Sequence, residues 1–323
     1  MVVWVYTIVT MIVYTGEIML DVLLSSAPYL VTIITIKLFI HFGFLSVSIK
    51  PAVSDLVGKI ALPLIIFATL IKINLKPSDG KLFLLCLILV FGLQALIFFI
   101  AKLRDIKTSK QMAMVLGFGS LSLGTIIYPL AMLNFGNDVF QKVVLYDSIG
   151  WFIIFLTFSQ FFAQIKSNEA HSLYESLAKI AKSPSVIAIV LGLTFNLINF
   201  TPQILIDSVE FSSRSFGFLA ALLVALNLTM PKPKTVTFIF VAFIARIAIG
   251  LSIIIILNAV IHFDEPTIIA ITLSMFSPVS VMGLIFCDQY GFDEKYYTQI
   301  LAVTTIASLI FLPFVIAALK LLV

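Results

Sequence analysis

The 323-residue chain is 61% hydrophobic and 11% charged, with a formal net charge of +4. A soluble domain carries about twice that share of charge, so the composition excludes an ordinary water-soluble fold. The small lysine excess suits a cytosolic membrane face and gives no sign of a nucleic-acid partner.

A membrane-crossing helix needs ~20 apolar residues, and about ten such runs fill the sequence. Residues 1–15 form an apolar lead-in without a basic start or a small-residue cleavage site, which argues against a signal peptide. Predicted helix 1 covers about 18–43, helix 2 about 54–74, helix 3 about 82–101, helix 4 about 111–133 and helix 5 about 139–164. The longest polar stretch, residues 166–183, follows with mixed charges. Helix 6 covers about 184–199, helix 7 about 207–230, helix 8 about 235–260, helix 9 about 266–286 and helix 10 about 296–321. If the lead-in crosses separately, the chain has eleven spans. The ~10-residue alternating strands of a membrane barrel are not seen. The fold class is therefore an all-α polytopic membrane protein.

Lysine and arginine in short loops set orientation. Lys50, Lys59, Lys102, Arg104, Lys107, Lys110, Lys166, Lys179, Lys182, Lys232, Lys234 and Lys295 fall on one side, twelve against the five of Lys72, Lys76, Lys81, Lys142 and Lys320. This bias places both termini on the non-cytosolic face of a plasma membrane or endomembrane. The linker at 166–183 divides the chain into repeats at 1–165 and 184–323. Five helices per half force opposite topologies, the inverted-repeat arrangement of many secondary transporters. Helices 2 and 7 share a faint echo: Asn74-Leu75 before Pro77, and Asn227-Leu228 before Pro231.

Two runs are interrupted in matching places. Helix 4 carries Ser120-Leu121-Ser122-Leu123-Gly124 followed by Tyr128-Pro129, and helix 9 carries Ser277-Pro278-Val279-Ser280 followed by Gly283. Such residues free backbone groups that lipid cannot satisfy, so they belong inside protein or beside a wet cavity. Small residues also serve plain helix packing, but a matched pair is the best sequence pointer to a transporter site.

The stretch from Gly119 through Tyr128-Pro129 to Asn134-Phe135-Gly136 resembles the fourth helix of the auxin efflux carrier family. Gly58 to Phe67, Ser183-Pro184 through Asn196 and Pro202 to Met230, and Ser277-Pro278 through Gln289-Tyr290-Gly291 to Pro313 are similar to its helices 2, 6 with 7, and 9 with 10. The resemblance implies ten transmembrane helices as two inverted five-helix repeats, with helices 4 and 9 broken and crossed at mid-membrane. It implies a scaffold of helices 1, 2, 6 and 7, a transport domain of helices 3–5 and 8–10, and dimerisation through the scaffold. It also implies transport of organic anions by an elevator-type movement.

At such a crossing the half-helix N-termini expose unpaired N–H groups and partial positive charge, so a carboxylate can bind without a fixed cation. The centres of helices 4 and 9 contain no basic residue. Ser120, Ser122, Ser277 and Ser280 offer hydroxyls, Leu123 and Val279 lie beside them, and Gly124 and Gly283 allow close backbone approach. Pro129 and Pro278 mark the crossover itself. The family often has Asn where this chain has Ser122, a shorter side chain with one donor instead of two, which leaves substrate identity open.

Asp147 is an intramembrane carboxylate and a coupling candidate; the alternative is a helix-end acid reaching interfacial water or paired within the transport domain. Gln94 fits interhelical hydrogen bonding better than ligand contact. Arg246 either neutralises Asp147 or another acid, or snorkels to the interface. Lys37 and His41 share a face of helix 1 and read as interfacial. The sequon at Asn199 is pressed against the membrane and followed by Pro202.

These features point to a secondary transporter of organic anions, auxin-like or small carboxylates, as a uniporter or through proton coupling at Asp147. The alternative is a membrane sensor that keeps the fold and binds a sterol or small ligand without transport. Two cysteines, Cys86 and Cys287, and three histidines lie in separate segments, so no disulfide, metal site or redox motif is expected. No cofactor is expected, and no paired acid, Ser/His pair or metal cluster supports an enzyme. No charged ring or carbonyl-rich filter supports a channel.

Overall fold

A computed structural model of the chain describes residues 2–322 except 74, 76–78, 149–177, 179, 180, 214, 229–232, 281, 282, 285, 286, 288 and 289. The second half of predicted helix 5, nearly all of the 166–183 linker, and Arg214 lie outside the described residues. Those described form helices and connecting turns, with no strand among them.

In chain order the α-helices are Val2–His41 (α1), Lys50–Leu56 (α2), Leu62–Leu70 (α3), Gly80–Leu103 (α4), Thr108–Phe118 (α5) and Tyr128–Leu145 (α6). They continue as Pro184–Leu197 (α7), Gln203–Ser213 (α8), Phe216–Asn227 (α9), Pro233–Ile261 (α10), Glu265–Met275 (α11) and Glu294–Leu322 (α12). Two π-turns, Val57–Ala61 and Leu123–Ile127, join α2 to α3 and lead into α6. Six described segments are long and apolar enough to cross a membrane: Gly16–His41, Val47–Leu70, Gly80–Leu103, Thr108–Ser148, Thr235–Ile261 and Glu294–Leu322. Pro184–Leu197, Phe216–Asn227 and Glu265–Met275 are shorter apolar helices.

Several sequence expectations change. The lead-in is not a separate element: it continues without a break into α1, which holds 40 residues and accommodates Pro28 inside it. Predicted helix 7 is two helices, α8 and α9, divided where Ser212, Ser213 and Ser215 interrupt the apolar pattern. The boundary between predicted helices 4 and 5 is sharp. Gly136 takes φ +74 and ψ −161 within α6, a region essentially reserved for glycine, and splits α6 into two arms.

Helix contacts fall into two groups. α3 packs on α7 and α8, α1 packs on α9, and α9 packs on α2. In the other group α4 packs on α5 and α10, α10 on α11 and α12, α12 on α5, and α11 on α6. α1 also touches α6 and α12, so the groups share a long seam. Small residues set the closest approaches. A Cβ on Gly192 of α7 would lie 3.0 Å from the Leu70 Cβ of α3, the tight contact expected where dispersion rather than water drives association.

Helix C-termini carry unpaired carbonyls and partial negative charge, and neighbouring side chains close several of them. Asn196 Nδ2 donates to the carbonyls of Ile71 (3.1 Å) and Ile73 (2.8 Å) at the end of α3. Lys81 Nζ donates to Ile261 O at the end of α10 (2.9 Å). Lys37, expected at the interface, instead donates to Ala225 O (3.3 Å) and Leu228 O at the end of α9. α7 ends by a different device: Asn199 takes φ +53 and Phe200 N–H returns to Phe195 O (2.9 Å), a left-handed cap in which Asn stands for the usual Gly.

Candidate functional site

Both breaks form, and they meet. α5 ends at Phe118, and residues 120–122 are non-helical before the π-turn at Leu123. α11 ends at Met275, earlier than expected, and residues 278–280 are non-helical. Ser122 N–H donates to Pro278 O (2.9 Å), and Ser280 N–H donates to Ser120 Oγ (3.0 Å). Tyr297 of α12 donates its hydroxyl to Ser280 O (2.6 Å) and lies 3.3 Å from Ser120 Oγ. Val279 N–H donates to Thr304 Oγ1 (3.2 Å).

Every predicted site residue at the two breaks is described, and their roles divide. Ser120 is fully buried and acts as a latch, donating to Gly117 O (2.8 Å) while accepting from Ser280. Ser122 pairs its hydroxyl with Thr125 (2.8 Å). Ser277 is fully buried and its hydroxyl has no partner. Leu123 and Val279 are buried beside them. The room expected for a ligand at the glycines is filled by side chains. A Cβ on Gly283 would collide with the Tyr297 ring and hydroxyl, and one on Gly124 would come within 2.9 Å of Leu62. Gln94 packs against the same unit, its Cγ and Nε2 occupying the space a Cβ on Gly119 would need.

Helices 4 and 9 bring no cation of their own to the crossover, but one arrives from a third helix. Arg246, from the middle of α10, is 2% exposed. It donates from Nη1 to Ser120 O (3.3 Å) and from Nη2 to Met275 O (3.0 Å) and Ser277 O. It neither snorkels nor pairs with Asp147. One guanidinium closes the C-terminal ends of both first half-helices, where carbonyl charge accumulates. Its Nε has no partner, and its carbon lies 4.9 Å from the Phe243 ring centroid. The readable signal was an arginine in the middle of a long apolar helix; the carbonyls it serves lie on segments remote in sequence.

Two spaces flank the crossing. A void of ≈ 10 Å³ lies among Ser122, Thr125, Asn227, Pro278, Val279 and Thr305. Asn227 faces it from α9 with a buried Oδ1 that has no partner. A second cavity of ≈ 660 Å³ is lined by Pro28, Tyr29 and Thr32 of α1, Ala68 and Thr69 of α3, and Phe216 to Phe218 of α9. α6 adds Tyr128, Pro129, Met132, Asn137, Phe140 and Gln141 to its lining. Tyr128 stacks edge-on against Phe140 at 5.6 Å and lies 6.0 Å from Phe216, which makes the inner end aromatic. Lys72, Asn137 and Gln141 supply polar groups. Pro129, a predicted crossover residue, lines this cavity; the predicted serines do not. Tyr29 donates its hydroxyl to Thr125 O, tying α1 to the π-turn.

Asp147 lies just past the end of α6 and is 7% exposed. Tyr128 of α6 and Cys86 of α4 are among the titratable groups near its carboxyl. No group of three or more His, Cys, Asp or Glu suited to a metal ion occurs among the described residues. No protein-family model matches the chain, and no curated protein matches it.

Proposed function

We propose that the protein is a secondary transporter of organic anions with an apolar body. The observation that carries this reading is the meeting of the two breaks, Ser122 on Pro278 and Ser280 on Ser120, beside a ≈ 660 Å³ cavity. Paired interruptions at one depth are the hallmark of transporter sites, and the cavity is of drug-sized volume with a mostly apolar lining and few polar groups.

α1, α3 and α9 correspond to the scaffold implied by the family resemblance, and α6 to its transport domain. Lys72, Asn137 and Gln141 suit a carboxylate, and Tyr29, Tyr128, Phe140 and Phe216 suit a flat apolar body. An elevator-type shift of one helix group along the seam then exposes the site to either side. The ten-helix inverted repeat and dimerisation through the scaffold belong to this same reading.

The test is counterflow of labelled indole-3-acetate in proteoliposomes. Ala68→Trp and Met132→Trp fill the cavity from α3 and α6 and are expected to abolish exchange while leaving Tm within a few degrees. Exchange that persists in both variants removes the site. The aromatic lining favours one second reading, a sensor that binds a sterol or small acid without moving it; saturable binding with no counterflow would select it.

A further inference from the structure

We propose that Asn134 of α6 and the adjacent Ser25 and Ser26 of α1 form a releasable polar latch beside the ≈ 660 Å³ cavity. The latch holds the cavity shut and opens in each transport cycle. It deepens the transport reading above and rests on that reading for its place in the cycle.

α1 meets the second helix group through three polar ties spaced one turn apart. Lys320 of α12 lies 3.1 Å from Asp21 Oδ2. Ser25 Oγ donates to Asn134 Oδ1 (2.6 Å), and Tyr29 donates its hydroxyl to Thr125 O. Residues four apart share one helix face, so Asp21, Ser25 and Tyr29 form a single stripe along α1. The middle tie is double, because Asn134 Nδ2 also donates to Ser26 Oγ (3.2 Å).

The three ties differ in what release leaves behind. The Asp21 side chain is 71% exposed, and an exposed ion pair holds little. Tyr29 is buried, and letting go of Thr125 O orphans its hydroxyl. The middle tie alone has a fallback on each side. Ser25 has one hydroxyl proton and two acceptors in reach, Asn134 Oδ1 and Val22 O of its own helix (3.0 Å). Asn134 Nδ2 likewise donates to Leu130 O (2.9 Å) inside α6. A carbonyl only accepts, so this bond also fixes which end of the amide faces Ser25. When α1 and α6 part, each side chain keeps a partner on its own helix, which lipid could not supply.

The latch stands where parting matters. Pro28, Tyr29 and Thr32 follow it on α1, Met132 and Asn137 flank it on α6, and all five line the cavity. Gly136, at φ +74, turns the chain two residues beyond Asn134. Asn134 therefore fastens the first arm of α6 to α1 just before that turn.

The experiment follows labelling of Ala68→Cys, a cavity-lining position, by a membrane-impermeant maleimide. It uses the reconstituted full chain with Cys86 and Cys287 replaced by alanine. Asn134→Leu and Ser25→Ala should each label about fivefold faster, the shift that follows the loss of one net hydrogen bond. Thr32→Val is the control, because Thr32 lines the same cavity but turns its hydroxyl back on Pro28 O (2.6 Å). Unchanged labelling in both latch variants overturns the proposal, as does equal acceleration in Thr32→Val. A second measurement locks the latch. Ser25→Cys with Asn134→Cys, bridged by a reductively cleavable thiol cross-linker, should lose counterflow of labelled indole-3-acetate and regain it on cleavage. Full exchange in the bridged protein overturns the proposal. Failed counterflow in the wild type and the unbridged variant, with labelling as expected, removes the transport reading and leaves the latch as a gate on the cavity.

Discussion

Ser122 N–H donates to Pro278 O across 2.9 Å, so each broken segment serves as hydrogen-bond partner to the other. The return contact, Ser280 N–H to Ser120 Oγ, makes the crossing a two-point join. Arg246 adds the third element by holding carbonyls on both broken segments.

Arg246→Ala is therefore expected to be severe. It leaves three buried carbonyls without this donor, and an orphaned buried polar group costs ~1–3 kcal/mol. A loss of at least ~3 kcal/mol should appear as a large fall in Tm of the detergent-solubilised protein. Arg246→Lys keeps the charge but lacks the planar fork that serves several acceptors, and should fall between. An unchanged Tm in Arg246→Ala would show that the guanidinium does not hold the crossing.

Gly283→Ala and Gly119→Ala test the tight packing around the join. A methyl at 283 must displace Tyr297, and one at 119 must displace Gln94. Overpacking typically costs ~1–3 kcal/mol. Gly58→Ala is the control, because a Cβ there meets nothing within 4 Å; thermal unfolding should leave it near wild type.

Gly136 is a different case. Nothing lies within 4 Å of a Cβ built there, so the whole penalty of Gly136→Ala comes from the backbone at φ +74. Residues forced into such regions pay ~1–3 kcal/mol. Gly136→Val should lose more, because the branches on its Cβ crowd the neighbouring backbone at positive φ. A Gly136→Ala variant as stable as the wild type in thermal unfolding would contradict the left-handed turn.

Lys142 reaches Asp79, with Asp264 at 3.6 Å, and its side chain is 10% exposed. Breaking a buried pair from one side costs ~3–5 kcal/mol, whereas replacing both partners by apolar groups is often close to neutral. Lys142→Met alone should lower Tm strongly, and Lys142→Met with Asp79→Leu should recover much of it. A double variant no better than the single one would assign the cost to Asp264 or to packing.

The chemistry of the two interruptions was legible because Ser, Gly and Pro in an apolar run have few uses. Gly136 was legible as a boundary for the same reason. Arg246 could be flagged but not assigned, since its acceptors lie in segments 29 to 126 residues away. The apparent openness at Gly124 and Gly283 was misleading: a missing Cβ shows only that something comes close, and here the neighbours are Leu62 and Tyr297. The division of predicted helix 7 was hidden because a polar cluster of Ser212, Ser213 and Ser215 reads equally well as helix surface. The ≈ 660 Å³ cavity could not be read at all, because its walls come from α1, α3, α6 and α9 and depend on tertiary packing.

Because Ala68 and Met132 both line that cavity, and they belong to different helices, α3 and α6, the gap between them is a gauge of how those helices sit. A pair of spin labels at these positions turns the molecule into its own ruler. A distance distribution that widens or splits when a solute is supplied would record the stroke of the machine directly, without reference to flux.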